Sequence, residues 1–209
     1  LLAQQSALNS QALIHSVVAG VAASVLGLVI LLLWLEWGPQ RGHRWVWLPI
    51  LLPALPLVMG QYTLALQLKQ DGQFATLIWG HLLWVVPWML FVLKPAWQRI
   101  DCRLLVIAQT LGWSPVKIFC LVKCPQVLRP ALVSLAVGFS VSIAQYMPTL
   151  WLGAGRFPTL TTEAVALSSG GSTGILAAQA LWQLLLPLLV FALMAGLSLW
   201  IGYRRQGLR

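Results

Sequence analysis

The chain has little charge, and acidic residues are its rarest chemical class. Of its 209 residues only 8% are charged, 4 are acidic and 59% are hydrophobic, and the mean hydropathy is +0.84. A soluble domain of this length cannot bury so much apolar surface, so the composition indicates an integral membrane protein. Long apolar segments, rather than short alternating ones, favour helices as the spanning elements.

Catalytic and nucleotide-binding patterns are also missing from the sequence. The glycine-rich run Gly170–Gly174 has no lysine, so it is not a phosphate-binding loop. No Ser/His/Asp, zinc or paired-carboxylate arrangement supports an intramembrane enzyme. We therefore predict that the chain is not an enzyme and binds no cofactor itself. The predicted spans contain no acidic residue, which argues against a transporter coupled to protons or sodium ions.

Cysteine is scarce and confined to one region. Cys102, Cys120 and Cys124 fall in a single basic loop, which we expect to face the reducing cytoplasm. Cys120 and Cys124 are four residues apart and could share a metal ion. Because no histidine or acidic residue lies beside them, we interpret them as small apolar residues and predict no metal site.

Five uncharged segments are long enough to cross a membrane, given that about 20 helical residues span the hydrocarbon core. We predict an all-α integral membrane protein with spans at Ile14–Leu35, Trp47–Leu68, Phe74–Leu93, Ala131–Leu152 and, within 164–203, Ile175–Ile201. The polar residues Leu1–Ser10 are expected to lead into the first span. A start without methionine or a basic segment suggests a fragment without a signal peptide.

The basic residues predict the orientation of these spans. If the loop between the third and fourth spans is cytoplasmic, 11 of the 13 basic residues share its side and only Lys69 and Arg156 lie opposite. This asymmetry follows the positive-inside rule and places loop 94–130 and the C-terminus in the cytoplasm. The charges follow membrane flanks, so we expect no nucleic-acid binding. The eleven are Arg41, Arg44, Lys94, Arg99, Arg103, Lys117, Lys123, Arg129, Arg204, Arg205 and Arg209.

The loop 101–130 has the pattern of two short helices joined at a glycine. Asp101 is a suitable N-cap for the first helix, and Gly112 suits the left-handed position that ends it. One face of this helix is apolar, with Leu104, Ile107, Ala108 and Leu111. Such a unit offers a docking surface to a soluble partner. Alternatively, its apolar residues place the first helix on the membrane surface.

The second helix of this loop is predicted from its start and stop signals. Ser114 is a capping residue, and Pro115 after it has a backbone angle suited to the first helical turn. Pro125 and Pro130 are expected to end the helix and return the chain to the membrane.

The run Ala108–Gly112 followed by Phe119, Pro125 and Pro130 resembles the cytoplasmic "EAA" loop of binding-protein-dependent ABC importer permeases. Val106, Ile107 and Cys124 stand where that pattern has Glu, Ala and Leu, so the glycine-to-proline frame is kept and the acidic residue is absent. The flanking apolar segments are also similar, so the resemblance covers nearly the whole chain. It is closest to the C-terminal half of the two-halved permeases grouped with thiamine and iron(III) importers.

The resemblance implies one MetI-like permease domain over 1–209, in a bacterial inner membrane, with 101–130 as its cytoplasmic coupling loop and 106–125 as the part that docks on the ATPase. It implies a second permease half or subunit, a periplasmic solute-binding protein, and cytoplasmic ATPase subunits that hold ATP and Mg. The residues expected to couple to the ATPase are Ala108, Gln109, Thr110, Leu111, Gly112, Lys117, Phe119, Pro125 and Pro130. An alternative function is a non-transporting scaffold or channel whose loop recruits a cytoplasmic partner.

Polar residues in the spans are candidates for a translocation path, because a polar group in lipid is costly. We name Gln61, Tyr62, His81, Gln145, Tyr146 and Thr149, with Ser140 and Ser142 as further inward-facing residues. Each could instead form hydrogen bonds between helices, and we interpret His81 as a hydrogen-bonded bundle histidine rather than a proton relay.

The second predicted span contains Pro49, Pro53 and Pro56, so it is either a broken helix beside a transport path or a kinked entry to an ordinary span. On the outer side, Arg156 and Glu163 could contact a solute-delivery protein or be solvated.

Overall fold

The computed structural model describes residues 2–39, 45–168 and 173–206, and within them every regular element is helical. The predicted basic residues Arg41, Arg44 and Arg209 and the loop residues 169–172 lie outside this part. The helices are α1 (Leu2–Trp37), α2 (Leu48–Leu51), α3 (Ala54–Gln67), α4 (Phe74–Gln98), α5 (Cys102–Thr110), α6 (Pro115–Ile118), a π-turn (Phe119–Lys123), α7 (Cys124–Ile143), α8 (Met147–Leu152), α9 (Leu160–Ser168) and α10 (Thr173–Gln206).

The centre of the bundle is the three-helix contact of α1, α4 and α7. Leu31 of α1 and Val85 and Met89 of α4 are fully buried in it. Gly138 of α7 packs directly against side chains of α4, because a Cβ atom there would lie 2.5 Å from the Met89 Sδ. In contrast, α10 leaves large apolar side chains such as Leu193 and Leu199 exposed. A helix that is apolar on its outer face is suited to lipid.

The prediction of about five spans agrees with the structure. Four helical stretches are long and apolar enough to cross a membrane: Ser10–Trp37, Phe74–Gln98, Pro115–Ile143 and Gly174–Ile201. The bent pair Trp45–Leu51 and Ala54–Gln67, between which the helix direction changes by 115°, makes a fifth if it is counted as one broken span. The predicted break in the second span is therefore confirmed. It lies at Leu52 and Pro53, where the backbone is extended.

The predicted end of the second loop helix was wrong. Pro125 lacks the N–H that an α-helix would bond to the Leu121 carbonyl, and its ring would clash with that carbonyl. The chain accommodates this with the π-turn, in which the Cys124 N–H bonds to the Phe119 carbonyl. The helical path therefore continues from Pro115 through Pro130 to Ile143.

The predicted fourth span, Ala131–Leu152, consequently has wrong bounds at both ends. Its helix starts earlier, at Pro115, and α7 ends at Ile143. Pro148 lacks the N–H that a continuing helix would bond to the Ala144 carbonyl, so α8 is a separate short helix. The first span also differs, because its lead-in is helical from Leu2 onward.

The two ends of the bundle carry different loops. At one end, α5, α6 and the π-turn meet the C-terminal ends of α1 and α4, and Phe119 lies between Trp37 and Trp97. At the opposite end the chain turns between α3 and α4, with Lys69 and Gly72 at φ +54 and +63.

Side-chain and backbone hydrogen bonds fasten that opposite end. The Leu160 N–H bonds to the Ser16 Oγ at 2.9 Å, and the Gly72 N–H bonds to the Leu152 carbonyl at 3.2 Å. Arg156, predicted for the outer side, donates to the Gly72 carbonyl at 3.5 Å.

Candidate functional site

Residues 101–126, here called the coupling unit, have the predicted helix–glycine–helix structure. The Arg103 N–H bonds to the Asp101 carboxylate at 2.9 Å, which caps α5. Gly112 has φ +73, and the Trp113 N–H returns to the Ala108 carbonyl at 3.1 Å. This pattern is a glycine C-cap that satisfies carbonyls at the helix end. Ser114 caps α6 by accepting from the Lys117 N–H at 3.4 Å.

The coupling unit encloses an apolar groove of about 330 Å³. One wall is the predicted face of α5, and the other is the π-turn and the start of α7. Leu111 is 66% exposed at the rim, whereas Ala108 is only 4% exposed. The residues of the first wall are Leu104, Ile107, Ala108 and Leu111, and those of the second include Leu121, Val122 and Pro125. The unit thus presents a concave apolar surface that the described residues leave open.

Of the nine predicted coupling residues, five are exposed, two are buried, and Pro125 and Pro130 are half-buried. Gln109, Thr110, Leu111, Gly112 and Lys117 are exposed, while Ala108 and Phe119 are buried. The Lys117 Nζ lies 4.6 Å from the centre of the Trp113 ring, which holds this side chain along the unit. Pro130 is half-buried in α7, beyond the unit. Contact of these residues with an ATPase stays a prediction.

An ion pair and three aromatic rings connect the base of the coupling unit to the bundle. The Lys123 Nζ lies 2.7 and 2.5 Å from the two carboxylate oxygens of Glu36, near the end of α1. The Phe119 ring lies 5.0 Å from the Trp37 ring and 6.3 Å from the Trp97 ring, measured between centroids. Sequence reasoning missed this connection, because Glu36 and Lys123 are 87 residues apart.

A second group of functional candidates forms a buried cluster around His81. The His81 Nδ1 lies 2.7 Å from the Ser142 Oγ, and its Nε2 lies 2.9 Å from the Thr149 Oγ1. The Thr149 hydroxyl donates its single proton to the Gln145 carbonyl at 2.8 Å. It must therefore accept from the Nε2–H, which leaves Nδ1 to accept from Ser142. We call His81, Ser142, Gln145 and Thr149 the histidine cluster.

The histidine cluster connects three elements of the bundle. His81 is on α4, Ser142 on α7 and Thr149 on α8, and the Gln145 Nε2 also donates to the His81 carbonyl at 3.2 Å. His81 is 1% exposed, so the hydrogen bonds of its two ring nitrogens are buried away from solvent. The interpretation of His81 as a hydrogen-bonded bundle histidine agrees with this geometry. Ser140 instead bonds to the Ala136 carbonyl within α7.

Gln61 differs from the His81 ring, and it shares a buried atom without a partner with Gln145, whose Oε1 has none among the described residues. Gln61 is 7% exposed, yet within the described residues neither its amide nitrogen nor its amide oxygen has a hydrogen-bond partner. A buried amide without a partner costs about 1–3 kcal/mol, so such groups call for an explanation. The neighbouring Tyr62 packs edge-on against Trp151 with ring centroids 5.6 Å apart. Tyr146, the remaining path candidate, is half-buried before α8.

The cysteine and acidic residues of the coupling unit form no metal centre in the structure. Cys102, Cys120 and Cys124 are free thiols. Across residues 2–39, 45–168 and 173–206, no group of three or more His, Cys, Asp or Glu side chains could hold a metal ion.

Comparison with known proteins confirms the similarity to ABC transporter permeases. The chain is 72% identical, over all 209 of its residues, to the inner membrane ABC transporter permease protein YnjC of Escherichia coli K12, and it covers 41% of that protein. It is 29% identical over 122 residues to a spermidine/putrescine transport system permease PotC homolog of Mycoplasma genitalium, a match that covers 58% of the chain and 43% of the relative. A Mycoplasma pneumoniae protein with the same description is 28% identical over 122 residues, or 58% of the chain and 42% of the relative.

The chain thus spans about two-fifths of the length of the curated relatives it matches. No protein-family model matches it.

Proposed function

We propose that this chain is a membrane-spanning part of the permease of an ATP-driven importer, and that its coupling unit docks on a separate ATPase. The observation that carries this proposal is the open apolar groove of a capped helix–glycine–helix unit, attached at its base to the ends of two spanning helices. An exposed apolar concavity next to basic residues is suited to a soluble protein partner. The similarity to transport permeases supports the same conclusion.

The mechanism we propose needs no catalytic group on this chain. ATP and Mg bind to cytoplasmic ATPase subunits, which close on each other and carry the docked coupling unit with them. Because the unit favours one ATPase state over the other, the difference in binding tilts the attached helices. A second permease half or subunit supplies the other wall of the path, and an extracytoplasmic binding protein delivers the solute. The whole assembly lies in a bacterial inner membrane.

The charge distribution at the two ends of the described bundle supports the orientation that we propose. Lys94, Arg99, Arg103, Lys117 and Lys123 cluster near the coupling unit. Lys69 and Arg156 lie at the opposite end, where Arg156 bonds to the turn after Lys69. We therefore place the coupling unit and the C-terminus in the cytoplasm.

For the translocation path we favour Gln61 over His81. The ring nitrogens of His81 are both committed to Ser142 and Thr149, so the histidine cluster serves to hold α4, α7 and α8 together. Both amide atoms of Gln61 are buried without a hydrogen-bond partner among the described residues, so a solute or water that reached them after a movement of the helices would supply the missing bonds. Its carrier helix α3 follows the 115° break, and a broken helix is typical of the wall of a transport path.

The test of this function is crosslinking of the coupling unit to the ATPase. A cysteine replaces Gln109 in the complete permease, with Cys102, Cys120 and Cys124 replaced by alanine, and the protein is co-expressed with its ATPase. We expect a crosslink whose yield changes with MgATP. A cysteine at Gln70, exposed at the opposite end, is the matched control and should give none. A folded permease whose Gln109 cysteine labels from the cytoplasm but never reaches the ATPase would overturn the proposal.

A further inference from the structure

The connection between the coupling unit and α1 is a mostly buried ion pair. The Lys123 and Glu36 side chains are only 19% and 10% exposed, and the ammonium lies within hydrogen-bond distance of both carboxylate oxygens. It is the one ion pair found among the residues that the structure describes. Removing one partner of such a pair leaves the other charge uncompensated, so the two groups hold each other in place.

Aromatic contacts extend this connection to α4. Phe119 is 8% exposed between the Trp37 ring of α1 and the Trp97 ring of α4. The Lys123 Nζ also lies 5.9 Å from the Trp97 ring centroid. A cation near an indole face adds to the attraction. The ends of α1 and α4 therefore meet the coupling unit at the same two side chains, Phe119 and Lys123.

Those two side chains are the first and last residues of the π-turn. A π-turn adds one residue to a helical turn, so it changes the direction in which the preceding α6 points relative to α7. The turn itself follows from Pro125, which has no N–H for the Leu121 carbonyl and whose ring would clash with that carbonyl in a continuous α-helix. The same five residues thus set the angle of the coupling unit and attach it to the bundle.

We propose that Glu36, Lys123 and Phe119 form a rigid joint that makes the coupling unit move as one body with α1 and α4. Glu36 is a positioning residue: it holds Lys123 and does not itself contact a partner. This inference rests on the proposed function for its purpose, since a unit that docks nothing needs no rigid attachment. The rigidity itself is a property of this chain and is measurable without an ATPase.

The experiment measures one distance within the chain. Spin labels on cysteines at Gln109, exposed on α5, and Leu33, 47% exposed on α1, are introduced with the three native cysteines replaced. Pulsed electron spin resonance is recorded on the assembled transporter in lipid, with and without MgATP, and on the permease alone. The Gln109 crosslink to the ATPase is measured in parallel for every variant.

The unsubstituted joint should give one narrow distance that is the same in all three samples. Glu36→Gln keeps a side chain of equal size but removes the charge. It should add a second distance population above about 10%, the upper end expected of a minor state. The charge swap E36K/K123E should restore the single distance. Lys94→Met removes a lysine near the end of α4 and should leave the distance unchanged.

Three results would overturn the joint: an unchanged single distance in Glu36→Gln, an equal broadening in Lys94→Met, or a charge swap that stays as broad as the single variant. If Glu36→Gln does not elute as a monodisperse protein, the charge swap carries the test, because a rigid joint of reversed polarity predicts a folded protein with one distance. Loss of the ATPase crosslink in the unsubstituted chain would count against the proposed function alone, since the distance is still read on the permease.

Discussion

The histidine cluster and the coupling unit differ in which kind of side chain they bury and which they expose. In the cluster, the polar groups of His81 are buried and bonded across three helices. In the coupling unit, apolar side chains such as Leu111 and Ile107 are more than half exposed around an open groove. Both ring nitrogens of His81 have partners within the chain, although the Gln145 Oε1 of the same cluster has none among the described residues, whereas the apolar groove is open to its surroundings. The comparison indicates that α4, α7 and α8 are held together at one level of the bundle and that the open apolar groove lies in a different part of the chain.

The first prediction concerns a substitution that disrupts the histidine cluster. His81→Ala removes a fully buried ring and leaves the Ser142 hydroxyl without its partner. The cavity and the unpaired group together should lower the free energy of unfolding by about 3 kcal/mol or more. Thermal or denaturant unfolding of the purified protein measures the loss. His15→Ala is the matched control, because His15 is half-buried and makes one bond, at 3.1 Å to the Pro158 carbonyl. It should cost about 1 kcal/mol; an equal loss in both variants would contradict the special role of the cluster.

Sequence reasoning anticipated the types of residue in both regions better than their partners. Asp101, Gly112 and Ser114 act on backbone groups within three residues or determine a single dihedral angle, so their roles can be read from local pattern. His81 was expected to face inward because it lies in an apolar span. Its partner Ser142 is 61 residues away, and no periodicity in the sequence connects the two.

The error at Pro125 has a physical cause of the same kind. A proline ordinarily ends an α-helix, because it lacks an N–H and its ring clashes with the preceding turn. The helix continues because the π-turn avoids the clash and because Phe119 and Lys123 find partners on α1 and α4. Tertiary contacts therefore overrode a local stop signal. The same contacts involve Glu36, and its position in the sequence gave no indication of its ion pair with Lys123.

A second prediction concerns the packing of α7 against α4. Gly138→Ala would place a Cβ atom 2.5 Å from the Met89 Sδ and 3.2 Å from the Val85 Cγ1, and both residues are fully buried. Overpacking of this kind should destabilise the fold by about 2 kcal/mol. Gly196→Ala on α10 is the control, because no atom lies within 4 Å of its Cβ position. The two unfolding curves, measured in the same detergent, should differ clearly; identical curves would mean that α4 and α7 are not in close contact.

A third prediction moves to the coupling unit, where space is not limiting. No atom lies within 4 Å of a Cβ at Gly112, but its φ of +73 is unfavourable for residues with a side chain. Gly112→Ala should therefore cost only about 1 kcal/mol of unfolding free energy. Asparagine, which tolerates this conformation better, should cost less, and valine more. The yield of the Gln109 crosslink to the ATPase should decrease least for asparagine at position 112, more for alanine and most for valine. A yield that is the same for all three variants would contradict the need for this turn.

The smallest effect on the fold is expected at the rim of the groove. Leu111→Ala removes a side chain that is already 66% exposed, so the free energy of unfolding should change by less than about 0.5 kcal/mol. Yet the same change removes apolar area from the surface proposed to meet the ATPase, so copurification of the two proteins should weaken. Leu199→Ala is the matched control: it is 64% exposed on α10, far from the coupling unit in sequence, and it should change neither stability nor copurification.

If Leu111→Ala leaves copurification intact, the groove is covered by lipid rather than by protein, and the difference between the two regions lies in their distance from the membrane surface. If copurification falls while the unfolding curve is unchanged, the exposed leucine serves the partner and not the fold, because an apolar side chain that contributes to neither would have no measurable consequence when it is removed.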